Sequence, residues 1–285
     1  MTSVAVFGSL ARLDTDHNSD RDMLVVSCDP KELSILAQNA TLLGFQPSTY
    51  TYKKLLYMSK KSSLFLNHLK RECVILRDDN NRLKHILINH KLYFTTNKDL
   101  QAAGNLFTLT KTVPKKEIIR GWLADVLFTL IRNYGVVYSH HVGNGHFAFD
   151  SWTGILSDHY NLNEYSIGFL KELRVMKRHY RLGQLTDIDL SEIISQGNLL
   201  LMQLKIPFSI ESVEKKLFKE YLRGFILNKN HSKYLAFRML ELYYRSLFKT
   251  LEDFELIFRN PSYHIANQDI IQLYRQLATH DLDKY

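Results

Sequence analysis

The stretch VFGSLARLDTDHNSDRDMLVV, residues 6–26, joins residue types that handle phosphate to residue types that hold a divalent cation. Gly8 lets a backbone come close to a phosphate, and the N–H groups of a turn there, with the Ser9 hydroxyl, are donors. Arg12 is a further candidate phosphate ligand. Asp20 and Asp22 stand one residue apart at the head of an apolar run. In an extended chain the two-residue period puts both carboxylates on one face, where they repel unless a cation lies between them. Oxygen donors beside a phosphate chain suit Mg²⁺, with Mn²⁺ as the alternative. The competing reading is an ordinary hairpin whose acidic turn is solvated.

Other groups of residues offer less. His140, His141 and His146 gather in SHHVGNGH, but no cysteine or acid is close to complete a metal set, and an exposed loop is the expectation. Arg174–His179 and Arg259–His264 each have four residues between them, the spacing of the HEPN ribonuclease motif. Chance produces about as many such pairs in a chain so rich in Arg and His. Asp187 and Asp189 repeat the Asp-x-Asp spacing with no Gly-Ser before them and read as the start of a helix. Cys28 and Cys73 form no metal or redox pattern, as in a reduced cytoplasmic protein.

The elements that must position these residues fall into two regimes. In the first part SVAVFG, MLVVS, FQPSTYTY and CVILR read as short strands, and PKELSILAQNATLLG and SSLFLNHLKRE as helices, the former with Pro at its start and Gly at its end. From about Lys111 apolar residues recur at helical spacing. KKEIIRGWLADVLFTLIRNYG is expected to close at Gly135, and NEYSIGFLKELRVMKRHYRLG, LSEIISQGNLLLMQLK and three later segments follow. Aromatic stripes there, such as Phe237, Tyr244 and Phe248, read as core. The expected organisation is an α/β domain over residues 1–105, a short mixed sheet with helices, followed by an all-α helical bundle over 106–285.

Charge narrows the ligand class. The chain is +8 overall, and between Lys53 and Lys91 ten Lys or Arg face only Glu72, Asp78 and Asp79, a local +7. Such a balance suits a polyanion, nucleotide or RNA. Lys171, Arg174, Lys177, Arg178 and Arg181 lie largely on one helical face that could carry phosphates. The first residues lack the basic leader of a secretory signal, and no run reaches the roughly 20 apolar residues of a membrane span. A soluble, cytoplasmic protein without membrane contact is expected.

The joined pattern resembles the nucleotidyltransferase superfamily of polymerase β type. It has an apolar strand, VAVFGS, ten residues, and then DRDMLVV; the Ala-Arg pair of GSLAR and the NSDRD run are similar to small bacterial members. The resemblance implies that Asp20 and Asp22 hold Mg²⁺ against a nucleoside triphosphate such as ATP, that Gly8 and Ser9 cradle its β- and γ-phosphates, and that NMP passes to an acceptor while pyrophosphate leaves. The implied acceptor is an RNA, tRNA-like, or a protein, in a toxin–antitoxin or phage-defence setting with a possible partner protein. The helical half is expected to close over the nucleotide with its basic face. Two departures bear on activity. The family's third carboxylate should lie on FQPSTYTY, which has no acid, so Glu72 or Asp78 is the candidate substitute. Arg21 stands where an apolar residue is usual. Two alternatives follow: a catalytically degenerate nucleotide-binding or partner-binding protein, and a HEPN-type ribonuclease in the helical half.

Overall fold

The structure is a computed structural model that describes residues 1–227 apart from 18 and 185–187, together with 235, 238, 239, 241 and 242. Two compact units emerge: residues 1–97 with 136–152, and residues 98–135 with 153–285. The single boundary expected near residue 105 thus becomes three crossings, each of them inside a helix.

In the first unit, strands β1 (Thr2–Val6), β2 (Asp22–Ser27), β3 (Gln46–Tyr50) and β4 (Val74–Asp78) form one mixed sheet in the order β3-β2-β1-β4. β1 runs antiparallel to both neighbours, and β2 pairs with β3 in parallel. A single helical turn, α1 (Ser9–Arg12), follows β1. α2 (Pro30–Leu42) links β2 to β3. Its start is set by Pro30 and by the Asp29 side chain, which accepts from the Lys31 N–H, and the chain turns at Gly44 with φ 76°. Strand alternation sorts the core. Met23 and Val25 pack with Ala40, Leu36 and Phe45 on the α2 side. Ala5, Phe7, Leu24 and Val26 pack on the other side against α3 (Tyr52–Lys60), α4 (Leu64–Glu72) and α5 (Arg82–Asn89) through Tyr52, Leu55, Leu66, Leu69 and Leu83.

The expected strands and both expected helices of this half are present. α3 stands outside the expected elements, because only Tyr52 and Leu55 are fully buried, Met58 is half-buried, and the exposed side mixes Leu56 and Tyr57 with lysines. It forms because the Thr51 hydroxyl accepts from the Lys54 N–H and Tyr52 and Leu55 are fully covered.

The second unit is mostly helical. It contains α6 (Asn97–Asn105) from residue 98 on, most of α7 (Arg120–His141) and α8 (Phe149–Tyr160), α9 (Glu164–Arg181), α10 (Leu190–Gln203) and α11 (Lys215–Leu227). Two three-residue strands, β5 (Thr112–Pro114) and β6 (Glu211–Val213), pair in parallel, so this half is not purely helical. Asp189 stands directly before α10, as expected of a helix start, whereas Asp187 lies outside the described residues. Phe237, Tyr244, Phe248, Arg259 and His264 lie outside them too. Helix α7 corrects one expectation. Gly135 does not end it: Gly135 is buried, Val136 and Tyr138 continue the buried face, and the turn comes at Gly143 with φ 84°.

Within this unit Asp125 is buried between Arg181 Nε at 3.0 Å and Arg238 Nη2 at 2.6 Å. Burial disfavours its charge, but Arg238, Arg181 and Lys177 outweigh that and hold the carboxyl below its ordinary range. Lys177 also lies 5.5 Å from the Phe128 ring. Part of the basic face read on α9 is therefore used inside the unit.

Candidate functional site

The β1–β2 hairpin brings the glycine turn to the acids. Val6 pairs with Met23, and the Phe7 N–H donates to the Asp22 carbonyl at 3.2 Å, so Gly8 leaves the sheet beside Asp22. Gly8 has φ 70° and ψ −146°, outside the left-handed helical well and in a region that costs an L side chain about 1–3 kcal/mol. A Cβ at Gly8 would also stand 3.0 Å from Asp22 Oδ2. The acid is thus packed against the one residue that leaves room for it. α1 is a single turn, closed by the Arg12 N–H to the Gly8 carbonyl and by Leu13 at φ 61°. A helix this short has little dipole, so any phosphate affinity at the turn comes from its N–H groups and hydroxyl rather than from a macrodipole.

Alternation along β2 explains the residue between the acids. Met23 and Val25 face α2, and Arg21 follows them. Its guanidinium lies over the Phe45 ring at 4.3 Å, and Nη1 is 3.4 Å from the Leu43 carbonyl. Arg21 stands past the first paired residue of an internal strand, so it covers the α2–β3 turn from solvent instead of entering the core. Asp20 and Asp22 belong to the opposite register, the side of Leu24 and Phe7.

Next to them is Gln46. It pairs with Asp22 across β2 and β3, and its Nε2 donates to Asp20 Oδ1 at 3.1 Å. Where the resemblance calls for an acid on this strand, the nearest side chain is a neutral amide.

The two substitute acids separate. β4 is antiparallel to β1, so Val74 lies beside Val6 while Asp78 lies beside Ser3 at the other end. Asp78 accepts from the Ser3 hydroxyl at 2.6 Å and from the Leu83 and Lys84 N–H groups, both at 2.9 Å. It caps α5, several residues along the sheet from Gly8. The two acids do not share one strand either, since Glu72 is the last residue of α4. Glu72 is at the Gly8 end, and its Oε2 is engaged by Arg12 Nη1 and lies 2.9 Å from His68 Nε2. Burial alone would raise the Glu72 carboxyl, but His68 and Arg12 bring it below its ordinary value of 4.5. Arg12 also donates from Nε to Asp14 at 2.9 Å.

No known family model and no characterised protein matches this sequence. The reading of the site therefore rests on its own chemistry. Among the described residues no group of three or more His, Cys, Asp or Glu is arranged to hold a metal ion. Two carboxylates are nevertheless the set Mg²⁺ uses when phosphate oxygens and water supply the other ligands, so Asp20 and Asp22 fit it in the presence of a triphosphate.

Of the three histidines expected in an exposed loop, His146 lies in one, whereas His140 and His141 are the last two residues of α7 and only His140 is buried. His140 is buried in α7, with Nδ1 donating to the Val136 carbonyl at 2.9 Å, and burial pushes its pKa down. His141 Nδ1 is 3.1 Å from the Thr95 carbonyl, and His146 is exposed beyond the helix. Gly145 passes so close to the His140 ring that a Cβ there would stand 2.5 Å from it. Phe147 then stacks on His68 at 4.2 Å and 14°, while His68 meets Phe7 edge-on at 5.5 Å. These rings form a wall behind the Arg12–Glu72–His68 cluster. The sequence carried one sign of that cluster: His68 and Glu72 are four apart on a helix, the spacing of facing residues.

Proposed function

We propose that the first unit is a nucleotidyltransferase that binds a magnesium or manganese nucleoside triphosphate, ATP among the candidates, and moves NMP to an RNA or protein acceptor. The observation that carries the reading is the closeness of the Asp22 carboxylate to the Gly8 turn: a Cβ at Gly8 would stand 3.0 Å from Asp22 Oδ2. Gly8 and Ser9 would receive the phosphate chain. Asp20 and Asp22 would hold the cation, which when bound neutralises the phosphate oxygens. Arg12, fixed from behind by Glu72 and Asp14, would add a positive charge at the turn. A small mixed sheet with helices is compatible with such a nucleotidyltransferase-like domain and supports the reading.

A second reading draws on Gln46 and Glu72. With an amide beside Asp20 and the nearby acid committed to Arg12 and His68, the unit could bind nucleotide as a sensor or partner-binding protein without transfer. Incubation of the protein with Mg²⁺, α-labelled nucleoside triphosphates and cell extract separates these cases. Label on RNA or protein establishes transfer. Binding without label supports the second reading. RNA cleavage without label would instead indicate a ribonuclease.

A further inference from the structure

Residues 33–71 contain no Asp or Glu, yet they carry Lys53, Lys54, Lys60, Lys61, Lys70 and Arg71. Several cations of the wider basic region are used within the fold. Lys70 donates to the Ile88 and His90 carbonyls, Arg71 to that of Gly145, Arg77 to Asp79, and Arg82 lies over Tyr52. The side chains of the four lysines on and just after α3 meet no acid or carbonyl among the described residues, and two of them approach only the neighbouring Tyr57 ring. All four are exposed, and none makes an ion pair among the described residues.

Their spacing gives them a common centre. Lys53, Tyr57 and Lys60 fall at i, i+4 and i+7, and Lys54, Tyr57 and Lys61 at i, i+3 and i+7, so both rows run along one side of the helix. Tyr57 is 54% exposed, with Lys54 Nζ 5.4 Å and Lys61 Nζ 6.0 Å from its ring centroid. Over roughly 10 Å of helix, a solvent-facing aromatic ring is framed by four positive charges.

We propose that this face of α3 binds single-stranded RNA, with Tyr57 stacking on a base and the four lysines lying along the phosphates. Lysines alone would suit any polyanion. The exposed ring at their centre selects one that carries flat, stackable groups. A membrane surface fits poorly, because Tyr52, Leu55 and most of Met58 are already packed in the core and only Leu56 and Tyr57 are left to insert. The proposal rests on charge and exposure and does not depend on the nucleotide site.

The test is fluorescence anisotropy of a labelled oligouridylate of about 12 nucleotides with the full chain, in EDTA and without nucleotide. Without metal or triphosphate, its outcome is independent of the transferase reading. Binding should weaken as salt rises from about 50 to about 200 mM, and Lys53→Glu with Lys60→Glu should flatten the log–log salt slope by roughly 1.4. Tyr57→Ala should weaken binding on the order of tenfold, whereas Tyr57→Phe should keep it. Lys31→Glu, on α2 across the sheet, should change nothing. All of these positions are exposed, and thermal melts would verify folding; Lys54→Gln with Lys61→Gln gives a milder second pair. The proposal is overturned by absence of binding at low salt or by equal binding of wild type and Tyr57→Ala. It is also overturned if polyglutamate or anionic vesicles displace the RNA as well as unlabelled RNA does.

Discussion

Glu72 has a definite place at the residue scale. It ends α4 at the Gly8 end of the sheet, where it faces Arg12 and His68. Its carboxyl is held below 4.5, so the folded state favours the ionised form. That stabilisation is fully present above the unfolded value and is lost as pH falls through the depressed folded value. Glu72→Gln should therefore lower unfolding stability by about 1.5–3 kcal/mol near neutral pH, the range for hydrogen bonds to a charged group. In denaturant titrations at several pH values the gap to wild type should shrink below about pH 4.5. A gap that stayed constant into that acid range would mean the carboxylate charge contributes nothing there. Little of this cluster was legible in the sequence, since Arg12 and Glu72 are brought together only by the β1–β4 pairing.

Elements were more legible than contacts. The four strands of the sheet and helices α2, α4, α9 and α10 announced themselves through periodicity and flanking Pro, Gly, Asp or Asn. α3 did not, because a helix with two buried residues has almost no apolar stripe. The end of α7 is not legible, because a glycine that continues a buried helical face looks, in sequence, like one that stops it. Asp78 and Glu72 looked interchangeable by their even spacing, and only the helix-to-strand break between them shows that one is a cap. Asp78→Ala should cost about 0.5–2 kcal/mol in urea unfolding through loss of the α5 cap, with nucleotide binding unchanged. Loss of nucleotide binding with unchanged stability would return Asp78 to the site.

At the scale of the molecule, a mixed α/β unit carries the glycine turn, the acid pair and the lysine face of α3, and a mostly helical unit buries its own charge network around Asp125. Among the described residues no helix is long and apolar enough to cross a membrane. The local +7 between Lys53 and Lys91 divides into cations tied to carbonyls, acids and rings of other elements and exposed lysines, four of them around Tyr57. Position in sequence could not make that division, because the partners lie on other elements. The central claim is that Gly8, Ser9, Asp20 and Asp22 form a metal-dependent triphosphate site. Calorimetric titration of Mg-ATP into the full chain, and into a variant carrying Asp20→Ala with Asp22→Ala, tests it most directly. The account predicts a saturable heat with wild type that disappears in the double variant and in EDTA, while the variant melts no lower than wild type in EDTA because two like charges have been removed. The same affinity in wild type and double variant would contradict it.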